Sequence, residues 1–290
     1  MRSIAHFTTI NDLHTATGFP MRTRYPEIHA WSTTEAYVGL RQYMPPYRQS
    51  FYQLSISSHQ AGTTLTVDGH QTADKQNVAI SVAPGQVISW LLGKPTPGYI
   101  VLFTEALLAP LPYFVDRHFP FLLQQQAGAF VLADGPATEL IHAAAEIVRI
   151  QDEERSDRLE LLRALVLALL WRFADHLPAD GRPTPGPALV HRFRNALEQH
   201  YLAHWRVREY AAYLHVSPGH LTATVSAATG LSPKEHCNRR LLLEAQRMLR
   251  YTEATITEIA FQLGFNEPAH FTRFFRRATG ESPTSFLAKR

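Results

Sequence analysis

Three guanidinium groups stand close together near the end of the chain, Arg273, Arg276 and Arg277, with no carboxylate between Glu267 and Glu281. Arginine presents donors in a rigid fork that matches the acceptor pair on a guanine edge and also the oxygens of a phosphate. Ala269, His270 and Thr272 fall on the same polar side of one predicted helix, while Phe271, Phe275 and Ala278 recur at three- and four-residue steps as its apolar stripe. Charge follows the same division. From Ala188 onward there are 14 Lys and Arg against 8 Asp and Glu, whereas residues 1–187 hold 14 against 17, so the C-terminal part is the one suited to a polyanion. A solvated helix could carry the same face, and it is repetition that separates the two readings.

The repeat has an offset of about fifty residues. Pro218-Gly219-His220-Leu221-Thr222 returns as Pro268-Ala269-His270-Phe271-Thr272, and Ala228-Thr229-Gly230-Leu231-Ser232-Pro233 returns as Ala278-Thr279-Gly280-Glu281-Ser282-Pro283. Upstream, Val207, Glu209, Ala211 and Leu214 align with Ile256, Glu258, Ala260 and Leu263 at an offset one shorter, so the second unit has one more residue in its turn. Each unit spells helix, tight turn, helix. In the second, Thr255 and Glu258 make a capping box, Ile256, Ile259, Ala260 and Leu263 form the stripe, Gly264 takes the left-handed position and Asn266 is expected to cap the next helix. In the first, Ser217 caps, Pro218 takes the first helical position and Gly230 closes. Ala211 and Ala260 are small because two helices crossing over a short turn must approach closely. Between the units a helix of roughly Pro233–Tyr251, at about 1.5 Å per residue, spans ~25–30 Å, near the ~34 Å between successive major-groove faces.

Further elements position this region. The stretch Pro178–Pro187 holds four prolines and two glycines and predicts an extended linker, so the expected domains are residues 1–177 and 188–290, with 178–187 between them. Within 47–104, strands are predicted at Phe51–Ser57, Thr63–Val67, Val78–Val82, Val87–Leu91 and Tyr99–Phe103, punctuated by Asp68-Gly69, Pro84-Gly85 and Pro97-Gly98, which suggests a small antiparallel sandwich or barrel. Helices follow at Ala137–Ile150 and Ser156–His176, the second opening on Ser156 as cap with Asp157 and Glu160 in its first turn. That helix is apolar nearly all round, which fits either packing on the strands or a dimer interface.

Composition excludes several classes. With 45% apolar and 11% aromatic residues the chain packs real cores. The longest clean apolar run in a helix pattern, Ala164–Trp171, is too short for a membrane span of about 20 residues. Met1–Pro20 lacks the basic head and apolar segment of a secretory signal, so a cytoplasmic protein is expected, with no membrane partner. One cysteine, Cys237, allows no internal disulfide and no thiolate zinc site. His59 and His70 are eleven apart and no His-X-His occurs, so no metal and no cofactor is expected.

The C-terminal region resembles the AraC/XylS family of bacterial transcription regulators over about Arg192–Phe286. The strongest pieces are Ile259-Ala260-Phe261-Gln262-Leu263-Gly264-Phe265, His270-Phe271-Thr272-Arg273-Phe274-Phe275-Arg276-Arg277 and Thr279-Gly280-Glu281-Ser282-Pro283. The resemblance implies a seven-helix domain with two helix-turn-helix motifs joined by a linker helix, the second helix of each motif meeting double-stranded DNA. Carried over by position, the contact residues are Gly219, His220, Thr222 and Ala223 in the first motif. In the second they are Ala269, His270, Thr272 and Arg273, with Arg276 and Arg277 nearer the backbone. The first motif departs from the pattern, with Ala223 where a long polar or basic residue is usual and no charge from Thr222 to Ala228, so the second is expected to supply more of the specificity.

More loosely, Pro84-Gly85-Gln86-Val87-Ile88-Ser89-Trp90 and Gly98-Tyr99-Ile100-Val101-Leu102-Phe103 resemble the cupin-like effector domain of that family. This implies a two-domain α+β protein: an N-terminal cupin-like β-barrel with helices, holding a small organic effector and dimerising, and a C-terminal all-α domain. Candidates for the effector pocket are Arg41, Arg48, His59 and Trp90. The implied partners are an operator, an effector, a second copy of the chain and, for an activator, RNA polymerase. No enzymatic activity is expected. Two other readings stay open: a barrel oxygenase or isomerase with a DNA-binding tail, which would carry stoichiometric iron or zinc, and a ligand-independent DNA-binding protein whose barrel only dimerises.

Overall fold

The computed structural model describes residues 4–35, 39–72, 75–108, 119–122, 128–153, 158–176, 188–203 and 206–288. Its contacts divide the chain into two compact units, Ala5–Pro183 and Thr184–Arg290. The predicted linker 178–187 lies outside the described residues, as do Ser156 and Asp157.

In the first unit, β1 (Ala5–Phe7), β3 (Tyr43–Gln49), β8 (Val87–Leu91), β5 (Thr64–Val67) and β6 (His70–Thr72) form one sheet in the order β1-β3-β8-β5-β6. A second sheet runs β10 (Gly128–Val131), β7 (Gln76–Val82), β4 (Tyr52–His59), β9 (Gly98–Phe103), β2 (Ile28–Ser32). The five predicted strands correspond to β4, β5, β7, β8 and β9, and the sequence reading missed the rest. β3 hides behind Pro45 and Pro46, which the strand accommodates at a register shift between Met44 and Tyr47.

The expected barrel is corrected here to two separate five-stranded sheets; among the described residues no closed barrel joins them. One physical reason lies at edge strand β2. The amide of the buried Gln151 takes both backbone groups of Ala30, accepting from its N–H at 2.7 Å and donating to its carbonyl at 2.8 Å, so that edge is closed by a side chain rather than by another strand.

The second sheet has helices on one face and the other sheet on the other, so most residues of its strands are buried, polar ones such as His29, Gln53 and Ser81 included. Ile28, Ala30, Leu54, Ala79, Val101 and Phe103 pack against α3 (Asp134–Gln151) and α4 (Arg158–Asp175) through Leu140, Ala144, Ile147, Leu162, Val166 and Phe173. The alternate positions Trp31, Val78, Ile80, Val82 and Leu102 face a second core with Met44, Tyr47, Leu65, Val67 and Ile88 of the other sheet. Helix α1 (Ile10–Thr17) joins that core through Ile10 and Leu13; α2 (Glu105–Leu108) follows β9. A cavity of about 160 Å³ opens within this unit. Among the described residues, no helix is long and apolar enough to cross a membrane.

The second unit is helical among its described residues: α5 (Ala188–His200), a 3-10 turn at Tyr201–Ala203, α6 (Val207–Tyr213), α7 (Pro218–Thr229), α8 (Pro233–Tyr251), α9 (Ile256–Gln262), α10 (Pro268–Thr279) and α11 (Pro283–Leu287). It has two cores. Phe193, Leu197, Tyr210, Ala211, Leu214, Leu221 and Val225 fill the first; Ala245, Leu249, Ile259, Ala260, Leu263, Phe271 and Phe275 fill the second. The side chain of Tyr201 packs against both.

Candidate nucleic-acid interface

The two helix-turn-helix units share a set of local hydrogen bonds. Ser217 accepts from the His220 N–H at 3.1 Å to start α7, and Gly230 closes it at φ 71°. Thr255 accepts from the Glu258 N–H at 3.2 Å while Glu258 accepts from the Thr255 N–H at 2.7 Å, the predicted capping box of α9. Gly264 follows at φ 81°, the left-handed conformation that turns the chain toward α10. At the far end of each second helix a threonine ties the exit. Thr229 donates to the carbonyls of Val225 at 2.8 Å and Leu231 at 3.1 Å, and Thr279 does the same with Phe275 at 2.9 Å and Glu281 at 3.0 Å. Ser232 and Ser282 then cap α8 and α11.

Two expectations are corrected. The N-cap of α10 is Glu267 rather than Asn266, and its side chain makes no cap hydrogen bond; its carboxylate instead stands 3.7 Å from His270 Nε2. Ala278 is exposed, so the buried stripe consists of Phe271 and Phe275, with Phe274 half-buried against Phe265. The reason is steric: α11 covers the stripe through Phe286, 5.4 Å from Phe275, and among the described residues no element covers Ala278.

The remaining face of α10 is open. Ala269, His270, Arg273, Arg276 and Arg277 are exposed and Thr272 is half-buried. None of the three arginines makes a salt bridge among the described residues. On α7, Gly219, His220, Thr222 and Ala223 are exposed in the same positions. Thr222 and Thr272 each donate the hydroxyl proton to the carbonyl four residues back, Pro218 at 2.8 Å and Pro268 at 3.1 Å, which leaves their oxygens as acceptors. Both second helices thus present short polar faces, but only the second carries guanidinium donors.

A charged cluster inside α8 escaped the sequence reading. Arg240, Glu244 and Arg247 are buried at 3%, 6% and 1% exposure, too little for ions without partners. Arg240 Nε lies 2.8 Å from Glu198 Oε2 of α5, and Glu244 stands 3.4 Å from Arg240 and 3.6 Å from Arg247. The Arg240 guanidinium also sits 3.8 Å over the Tyr201 ring. Burial works against the Arg240 charge, but Glu198 and Tyr201 outweigh it and hold the group protonated. The spacing i, i+4, i+7 alongside Leu241, Ala245 and Met248 was a signal for this. The nearby thiol of Cys237 is pushed up to about 11 by burial and is not a nucleophile at neutral pH.

In the first unit, Trp90 is on the wall of the cavity; Arg41, Arg48 and His59 are not among its described lining residues. Arg41 is exposed, and its carbonyl accepts from Trp90 Nε1 at 3.5 Å. His59 Nδ1 accepts from the Ala61 N–H at 2.9 Å, a local turn bond. The wall residues His14, Trp31 and Tyr47 come from separate elements, and no spacing in the sequence brings them together. His14 and His29 lie 3.3 Å apart, ring nitrogen to ring nitrogen. Burial lowers them to about 3 and about 4, His29 adding to the effect on His14, so both are neutral at pH 7.

Residues 210–289 match the family model described as a helix-turn-helix domain. The chain is 36% identical over 87 residues to the HTH-type transcriptional activator RhaS of Klebsiella pneumoniae, covering 30% of this chain and 31% of that protein. It is 44% identical over 55 residues to RhaS of Escherichia coli, covering 19% and 20%. The chain therefore spans less than a third of the length of these relatives. Among solved structures, the C-terminal domain of AraT, a response regulator from Geobacillus stearothermophilus, is 26% identical, covers 37% of this chain and 89% of its own, and overlays with a TM-score of 0.36.

Proposed function

We propose that the chain is, through its C-terminal domain, a member of the AraC/XylS family and a sequence-specific DNA-binding transcription regulator. The observation that carries this reading is the doubled helix-turn-helix, with the same threonine ties and left-handed glycines closing both second helices, both of them open on one side and joined by α8. With 19 residues at about 1.5 Å each, α8 is ~28 Å long, of the order of the ~34 Å between successive major-groove faces. In this reading α7 and α10 enter adjacent grooves of one duplex. Gly219, His220, Thr222 and Ala223 offer close approach and weak polar contact, while Arg273 and His270 read base edges beside Ala269 and Thr272. Arg276 and Arg277 hold phosphates.

The N-terminal domain, residues 1–177, takes a small organic effector in the cavity between its sheets and shifts the DNA-binding state only to the extent that the effector binds one state better. A homodimer is supported by α4, whose outer side carries the exposed Leu161, Ala164, Ala168 and Trp171 at three- and four-residue steps. The partners in this reading are an operator, the effector and, for an activator, RNA polymerase.

The test is selection of operator sequences from a random duplex pool by the full chain, followed by binding at several salt concentrations. A recovered consensus with two half-motifs about one helical turn apart is expected, with Arg276→Ala and Arg277→Ala each lowering the salt slope by about one. A pool with no consensus would remove the sequence-specific reading.

A further inference from the structure

Helix α8 changes partner along its length. Near its start, His236 meets Phe193 edge-on with ring centroids 6.0 Å apart and Cys237 packs on the first core. Further on, Leu241, Ala245, Met248 and Leu249 are buried in the second core, whose buried members are all different from those of the first. Arg240 falls where the change occurs, at 3% exposure.

The Arg240 guanidinium is held in two directions by α5 and the turn that follows it. Glu198 meets its edge, with Oε2 2.8 Å from Nε, and the Tyr201 ring covers its face, with the centroid 3.8 Å away. Glu198 comes directly after Leu197 of the first core, and Tyr201 packs on the margin of both cores. Within α8, Glu244 stands 3.4 Å from the same guanidinium and 3.6 Å from Arg247, and these two flank the Ala245 that is buried in the second core.

Apolar packing is non-directional, so two cores that meet along one helix can roll against each other at little cost. Hydrogen bonds to a rigid charged fork have a fixed geometry and resist that roll. Stability alone does not account for the network, because an apolar set of similar volume is often as stable or more so; selecting one arrangement among several is what buried charges add.

We propose that Arg240, clasped by Glu198 and Tyr201, is a positioning residue that fixes the angle between α7 and α10, and with it the spacing of half-motifs that the chain accepts on DNA. This goes beyond, and rests on, the reading of the chain as a sequence-specific DNA-binding regulator.

The first test needs no DNA. Nitroxide labels on Ala228→Cys of α7 and Ala278→Cys of α10, both exposed, report the distance distribution between these helices in the full chain carrying Cys237→Ala. One narrow distribution is expected for the parent, broadened at least twofold by Arg240→Met and by Glu198→Gln. Arg240→Met keeps an apolar stem and leaves Glu244 beside Arg247, while the Glu198 side chain, 35% exposed, reaches water. Glu198→Gln removes a charge and keeps an acceptor, so it decides alone should Arg240→Met fail to fold.

The second test uses the operator recovered by selection and derivatives with one base pair added or removed between half-motifs, which turns one against the other by about 35°. The parent is expected to bind these derivatives at least tenfold more weakly than the operator, and the two variants no more than threefold. On a duplex that keeps only the half-motif read by α10, parent and variants are expected to bind equally, which a general loss of structure would not give. An unbroadened distribution, a parent indifferent to spacing, a tenfold penalty retained by the folded variants or a matching loss on the single half-motif overturns the proposal. Broadening by both variants with no consensus recovered from the pool sustains the joint and removes the regulator reading instead.

Discussion

The two helix-turn-helix units share a scaffold and differ in the face it presents. Position by position at the fifty-residue offset, Ala223, Ser226 and Ala227 of α7 stand where α10 has Arg273, Arg276 and Arg277. The threonine ties, the left-handed glycines and the serine caps that follow are the same in both. Conversely, α7 is capped by Ser217 and α10 has no side-chain cap. What this teaches is that the hydrogen bonds fixing the angle between helices are independent of the side chains offered outward, so one unit can position while the other discriminates. A further contrast lies just beyond. Buried His236, bonded to Thr229 at 2.9 Å, stands in the first unit where the second has Phe286.

The largest expected effect breaks the coupling between units. Glu244→Ala leaves Arg240 and Arg247 buried beside one carboxylate fewer and is expected to lower stability by about 3–5 kcal/mol in denaturant unfolding. A change below ~1 kcal/mol would show that the cluster does not hold α5, α8 and the Tyr201 turn together.

Next in size is a pH effect confined to the first unit. Burial, with Arg194 and Arg239 adding and Glu235 opposing, lowers His236 from 6.5 to about 4. The unfolded chain therefore takes up a proton between about pH 6.5 and 4 that the folded chain does not, so stability is present above that window and falls as pH falls through it. His236→Phe, which installs the second unit's residue, should flatten this slope by up to one proton relative to the parent; His14 and His29 contribute equally to both proteins and cancel. An unchanged slope would place the histidine in contact with water.

Discrimination should sit in the second unit. Arg273→Ala is expected to cost about 1–3 kcal/mol at one base position of the selected operator, measured on single-base variants. The same loss on every sequence would make Arg273 a phosphate contact, and a larger loss from changes at Thr222 or His220 would invert the comparison. The smallest effect separates the caps: Ser217→Ala should lower stability by about 1 kcal/mol, while Glu267→Ala, which loses no cap bond, should stay within ~0.5 kcal/mol.

Most of the C-terminal domain was legible because its determinants are local. Thr255 with Glu258, Ser217 before Pro218, Gly230, and the small Ala211 and Ala260 act over three or four residues, and α8 begins and ends where Pro233 and Tyr251 place it. The Asn266 assignment failed because two polar residues competed for one cap and backbone geometry chose Glu267. In the N-terminal domain, strands flanked by turn dipeptides were found, whereas β2 and the proline-bearing β3 were not, since their pairing is settled by distant neighbours.

Arg41, Arg48 and His59 were chosen for the pocket by residue type, but burial is a property of the fold, and it brought His14, Trp31 and Tyr47 to the cavity instead. The sequence alone determined the repeat, its caps and the unequal charge of the two second helices, because covalent spacing fixes which side chains share a helical face. Tertiary structure alone decided that the strands divide into two sheets, that Arg240 and Glu198 meet inside the domain across 42 residues, and that Trp31 and Tyr47 of different sheets line one cavity. Such contacts depend on which distant surfaces exclude water together, and no local pattern encodes that.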